Sequence, residues 1–201
     1  MRILGIWGSP RKGGNSEILL QAFLDGAAQA GAQVERIALR ELKISPCLEI
    51  YHCFKDGTCP IKDDMLPLYD KLLAADVVAL ASPIFFYGVS AQAKAFIDRT
   101  QALWSRRYVL KKDFPGPERQ GVLLCTGATH GKLLFVGARL TAKYFFDAIN
   151  VTYAAEILVR GVDEKGAILE FPDVLENARL LGQRLARGEK LGPIKLSPLA
   201  V

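Results

Sequence analysis

Residues 2–16 read RILGIWGSPRKGGNS, and the order of features in that stretch decides the fold. RILGIW is a short apolar run, the pattern of a buried strand. It ends in a glycine-rich turn. Residues 16–30 then place Leu19, Leu20, Phe23, Leu24 and Ala27 at helical spacing, one apolar stripe along a helix. Gly31 stops that helix.

The same alternation continues outward. VERIAL (34–39), DVVALA (76–81), GVLLC (121–125) and residues 151–159 read as four further strands. Helical patterns fall at 65–74, 90–103, 131–149 and 174–187. Ser90 is placed to cap the third helix. Strands that alternate with helices and are apolar on both faces belong to a parallel sheet covered on both sides. Right-handed crossovers make the expected fold α/β and doubly wound, with five parallel strands in the flavodoxin-like order 2-1-3-4-5. In that order a ligand sits beyond the carboxyl ends of strands one, three and four. Two stretches break the rhythm, 43–64 and 105–119. Long loops in compact domains are usually functional. The expected organisation is one unit over 1–187, with 43–64 as a loop insertion and 188–201 as a tail.

Half of the 201 residues are apolar and 23% are charged, which excludes a disordered or collagen-like chain. Lys plus Arg exceed Asp plus Glu by 26 − 21, a net charge of +5. That permits an acidic ligand without singling out nucleic acid. There is no run of about 18 uninterrupted apolar residues. Nor does a charged segment followed by an apolar core and a small-residue cleavage site open the chain. The expectation is a cytoplasmic protein with no membrane and no nucleic-acid partner.

The turn after the first strand has the ingredients to hold a phosphate monoester. A helix N-terminus offers free amides and a favourable dipole. Ser9, Asn15 and Ser16 add neutral donors, Arg11 and Lys12 add charge, and Gly13 and Gly14 permit close approach. A Walker loop fails, because Gly8-x4-Gly13 continues with Gly14 and Asn15. A dinucleotide fingerprint fails, because Pro10 stands where the second glycine belongs. The competing reading is that Asn15 or Ser16 merely caps a helix.

Strand three ends in Ser82-Pro83-Ile84-Phe85-Phe86-Tyr87-Gly88-Val89-Ser90. Three aromatics in a row at the sheet edge suit a flat aromatic ligand. Main-chain groups of 84–88 would meet its rim and Gly88 would make the turn. Core or interface packing is the alternative. Strand four ends in Cys125-Thr126-Gly127-Ala128-Thr129-His130, small and hydroxylated, again suited to close backbone approach.

Together these loops resemble the NADPH-dependent FMN reductase family, over roughly residues 1–150. GSPRKGGNSE resembles its FMN phosphate loop, and SPIFFYGVSAQAKAFIDR its segment along the isoalloxazine ring. The resemblance implies noncovalent FMN, NADPH or NADH as electron donor, a homodimer or homotetramer, and a small-molecule electron acceptor or redox protein. It implies that Ser9, Arg11, Lys12, Asn15 and Ser16 hold phosphate. Pro83, Ile84, Phe85, Phe86, Tyr87 and Gly88 would hold the ring, with Thr126 and Gly127 closing its far side. Hydride passes to flavin N5 in such a site, so no side chain is assigned as catalytic.

Cys47, Cys53 and Cys59 resemble the cysteine segment of the iron–sulfur flavoprotein branch, which holds a [4Fe–4S] cluster by four cysteines. Here the spacing is C-x5-C-x5-C, and Ile50 stands where the missing cysteine belongs. Cys125 lies in a core strand. Cluster ligation takes four thiolates, so the expectation is that no stable cubane forms. A cluster with an open corner, zinc held with His52, and a loop of free thiols stay open as readings. Arg106, Arg107, Lys111 and Lys112 form a basic run, either a meeting point for nicotinamide phosphates or a solvated loop. Residues 131–149 are more apolar than one sheet face demands, so part of that helix is expected under a second subunit.

Overall fold

In a computed structural model of the protein, residues 1–112, 114–116 and 118–196 are described. The five strands are β1 (Arg2–Trp7), β2 (Gln33–Ala38), β3 (Val77–Pro83), β4 (Gln120–Gly127) and β5 (Thr152–Arg160). They form one all-parallel sheet in the order β2-β1-β3-β4-β5, as the alternation of runs predicts. Strands β3 and β4 are buried along nearly their whole length, with apolar centres VVALA and VLLC, because both faces are covered. On one face lie α1 (Asn15–Gln29) and α7 (Pro172–Ala186), whose Leu19, Leu20, Phe23, Leu181 and Leu185 are buried against the sheet. On the other lie α3 (Leu66–Ala74), α4 (Ala91–Arg99), α5 (Gln101–Trp104) and α6 (Val136–Ala148), with Phe96, Leu103, Phe145 and Phe146 at the centre.

Several boundaries differ from the sequence reading. Residues 43–64 are not wholly irregular: a single-turn helix, α2 (Cys53–Asp56), sits inside them. The stretch 105–119 begins as a π-helical turn, Ser105–Val109, that prolongs α5. Strand β4 runs two residues further than GVLLC, through Thr126 and Gly127, because Pro83 and Thr126 still pair across the sheet. The helical pattern over 131–149 starts its helix only at Val136; residues 132–135 are turns. The last five residues of the expected 188–201 tail, and positions 113 and 117 of the second irregular stretch, lie outside the described residues. Among the described residues no helix is long and apolar enough to cross a membrane.

Candidate functional site

The carboxyl ends of β1, β3 and β4 are neighbours, since Trp7 pairs with Ala81 and Ser82 with Cys125. The loops that leave them therefore share one crest of the sheet. Two buried serines lock the first two loops together. The Ser90 hydroxyl donates to the Gly8 carbonyl and accepts from the Ala93 N–H at 3.2 Å, capping α4 as expected. The Ser90 N–H donates to Ser82 Oγ at 2.9 Å, and that hydroxyl donates to the Pro83 carbonyl at 2.8 Å. Both serines are fully buried. The start of the 8–16 loop, the entry to the aromatic turn and the exit from it are thus one unit. A side chain at Gly8 would meet the Ala81 carbonyl at 2.9 Å, so the close approach depends on glycine there.

In the 8–16 loop the amides sort into used and free. Arg11 donates to Ser9 Oγ at 3.1 Å, Gly14 to the Arg11 carbonyl, and Gly13 to Glu17 Oε2 at 3.2 Å. The N–H groups of Ser9, Lys12, Asn15 and Ser16 have no acceptor among the described residues. Gly13, at φ +67°, holds the left-handed bend between them. Arg11 and Lys12 are exposed, and the Arg11 guanidinium reaches only the Asp163 carbonyl at 3.4 Å. The Glu17 carboxylate is paired with Arg40 at 2.6 Å, both largely buried, and Arg40 also stacks over Trp7. That pairing removes the anion that would otherwise oppose a phosphate at the helix N-terminus.

Asn15 differs from the sequence reading. Its carboxamide is spent on the loop after β5: Nδ2 donates to the Glu164 carbonyl at 2.9 Å, and Oδ1 accepts from Gly166 and Ile168 at 3.0 and 3.3 Å. What it leaves toward a ligand is its main-chain N–H.

The aromatic turn is exposed, which excludes core packing for Phe85, Phe86 and Tyr87 within this chain; Phe86 projects wholly into solvent. Phe85 and Gly88 exchange both backbone hydrogen bonds, at 3.0 and 2.9 Å. The two residues between them carry the bend, Phe86 at φ +47° and Tyr87 at φ +65°. Gly88, expected to supply the conformational freedom, does not. Large side chains held left-handed cost on the order of 1–3 kcal/mol each, a strain found at functional sites. The Ile84 amide is bonded to Thr126, so of residues 84–88 only Phe86 and Tyr87 keep free N–H groups among the described residues. Thr126 and Gly127 are buried at the end of β4, and His130 is exposed beyond them.

The cysteine segment forms a second centre. A cleft of about 800 Å³ lies between residues 47–61, α4 and α6, and none of residues 8–16, 83–88 or 126–127 lines it. Cys47, Cys53 and Cys59 face it as partly buried free thiols. Burial pushes the Cys53 thiol up, and its neighbours Cys47 and Cys59 push it further, so it is not an activated nucleophile. Cys125 is fully buried in β4, with its thiol raised by desolvation. Four thiolates therefore do not converge within this chain. Among the described residues no three His, Cys, Asp or Glu side chains stand together as a metal site.

Arg99, which sequence reasoning missed, holds this segment. Fully buried on α4, it grips Asp63 at 2.6 and 3.1 Å and donates to the Ser45 carbonyl at 2.9 Å. Its one legible sign was an arginine three residues after buried Phe96 on the apolar stripe. The basic run is spent here too. Arg106 donates to the Gly57 carbonyl and Lys112 to that of Asp56, taking up the carboxyl end of α2, while Arg107 binds Asp147. Arg106, Arg107 and Lys112 thus each bond within the chain, while Lys111 and Lys112 stay exposed.

Residues 1–142 match the profile of the family described as NADPH-dependent FMN reductase. The chain belongs to that family. It is similar to an iron–sulfur flavoprotein of Methanocaldococcus jannaschii, 40% identical over 103 residues, which are 51% of this chain and 53% of that one. A Bacillus subtilis protein provisionally named an NAD(P)H-dependent FMN-containing oxidoreductase is 27% identical over 187 residues, 92% and 98% of the two chains. Against the iron–sulfur flavoproteins that head the comparison, the match spans about half of each relative's length. The solved NAD(P)H:quinone oxidoreductase of Methanothermobacter marburgensis shares the fold, with a TM-score of 0.69 over 92% of this chain and 98% of that one at 19% identity.

Two outcomes follow from this geometry. Ser90→Ala removes a helix cap and orphans the Gly8 carbonyl, so urea unfolding should show a loss of about 2–3 kcal/mol; an unchanged midpoint contradicts the bridging role. Asp63→Asn leaves Arg99 buried without its counter-charge, a loss of about 3 kcal/mol. Burial opposes ionisation of Asp63, but bonds from Arg99, Ser45 and Met65 outweigh it and hold the carboxyl below its ordinary value of 3.8. The pairing is therefore complete above that value and is lost as pH falls through the depressed one. Amide protection over 43–64, taken relative to the intrinsic exchange rate at each pH, should be high at about pH 5 and fall below about pH 4 in the wild type, and be low at both in Asp63→Asn.

Proposed function

We propose that this chain is an FMN-binding oxidoreductase that passes electrons from NAD(P)H through the bound flavin to a small-molecule acceptor or a redox protein. One observation carries the reading. Four free amides with two uncompensated cations stand at one end of the crest, and a strained aromatic turn with free amides stands at the other. Buried Ser82 and Ser90 fix the two ends relative to each other. That is the donor set of a mononucleotide with a terminal phosphate and a planar head.

In this reading Ser9, Arg11, Lys12 and Ser16 hold the phosphate, with the main-chain N–H of Asn15. Pro83, Ile84, Phe85, Phe86, Tyr87 and Gly88 hold the ring, and Thr126 and Gly127 close its far side. FMN, when bound, accepts a hydride and releases electrons. The protein's part is positional and electrostatic. The Phe86 and Tyr87 amides are fixed donors that favour negative charge developing beside them. Residues 1–187 act as one FMN-binding unit in the cytoplasm. Exposed Leu140 and Tyr144 on α6 support association into a homodimer or homotetramer.

Anaerobic mixing tests the activity. NADPH or NADH should bleach the flavin absorbance of FMN-loaded protein within turnover times. Bleaching by dithionite alone removes the reductase reading and leaves a flavodoxin-like carrier.

A further inference from the structure

The loop after β5 lies beyond the residues that match the family profile, yet it is fastened to the phosphate loop. Asn15, itself buried, makes three hydrogen bonds to it, and Arg11 makes a fourth to the Asp163 carbonyl. Left-handed Gly161 and Gly166 bracket its bend, at φ +74° and +86°. The side chain this fastening delivers is Lys165. A Cβ placed on Gly13 would lie 3.1 Å from Lys165 Cε and 3.5 Å from its Nζ. The ammonium has no acceptor among the described residues, although Asp163 and Glu164 adjoin it in sequence. Among the described residues the one carboxylate bonded to the phosphate loop, that of Glu17, is already neutralised by Arg40.

We propose that Lys165 is a phosphate-binding residue of the FMN site, and that Asn15 is a positioning residue that carries it there. This rests on the FMN reading above and adds a third cation, from the far end of the chain, to Arg11 and Lys12. Its physical content is charge selectivity. Lys165 recognises the dianionic tail and is indifferent to the ring. It therefore separates FMN from riboflavin, which has the same ring and no phosphate.

The experiment titrates apoprotein with FMN and, separately, with riboflavin, following flavin fluorescence at low and high salt. The proteins are wild type, Lys165→Met, Lys165→Arg and Asn15→Ala. Lys165→Met should weaken FMN about five- to tenfold at low salt and leave riboflavin affinity as it was, the difference shrinking at high ionic strength. Lys165→Arg should keep most of the FMN affinity. Asn15→Ala should lose at least as much FMN affinity as Lys165→Met, and adding Lys165→Met to it should cost little more. If Asn15→Ala does not fold, the two Lys165 variants still decide. FMN affinity unchanged in Lys165→Met, or FMN and riboflavin weakened alike, overturns the proposal while the FMN reading stands. Wild-type protein that binds neither flavin overturns both.

Discussion

The hydroxyl of Ser90 sits where two parallel strands end side by side, and the crest depends on it. Where the strand order of a doubly wound sheet reverses, the loops leaving the two adjacent strands diverge to opposite faces. Here the first leads to α1 on one face and the second to α4 on the other. Nothing in the ladder itself fixes their mutual distance beyond the last paired residues. Ser90 does so by donating to Gly8 while capping α4, and its own N–H is taken by Ser82. The bonds are buried, so a lost partner is not replaced by water and leaves an orphaned polar group. A ligand that reaches from one loop to the other meets a span that is already set.

Around that tie, the aromatic turn holds two large side chains in strained backbone. The left-handed Phe86 and Tyr87 are held by the paired bonds of Phe85 and Gly88 and by the bond from Ile84 to Thr126. Those bonds consume three of the amides that a sequence reading counts as available to the ring and leave two. In the 8–16 loop the arithmetic is similar: Ser9 Oγ, the Arg11 carbonyl and Glu17 take three N–H groups, and four have no acceptor among the described residues. The site's donors are thus the remainder after the fold has satisfied itself.

The strands were legible because both faces of each central strand are buried, which makes the run of apolar residues continuous. Helix α1 was legible from its stripe. Strand order alone brings the carboxyl ends of β1, β3 and β4 to one crest. What was not legible depends on partners distant in sequence. The carboxamide of Asn15 looks like a phosphate donor until residues 164–168 are seen beside it. Arg106 and Lys112 look unpartnered until the carboxyl end of α2 is placed beside them. Gly88 looks like the flexible residue of its turn, but backbone pairing transfers the strain to its aromatic neighbours. Arg99 and Asp63 are 36 positions apart, and no local pattern joins them.

Residue-resolved amide exchange with and without FMN reads directly which main-chain amides face the flavin. On adding FMN to the apoprotein, exchange at Lys12, Asn15, Ser16, Phe86 and Tyr87 should slow sharply. Gly14, Phe85 and Gly88, already bonded within the chain, should change little. Slowing confined to residues 47–61, or no slowing at the crest at saturating FMN, would contradict a flavin site at the crest.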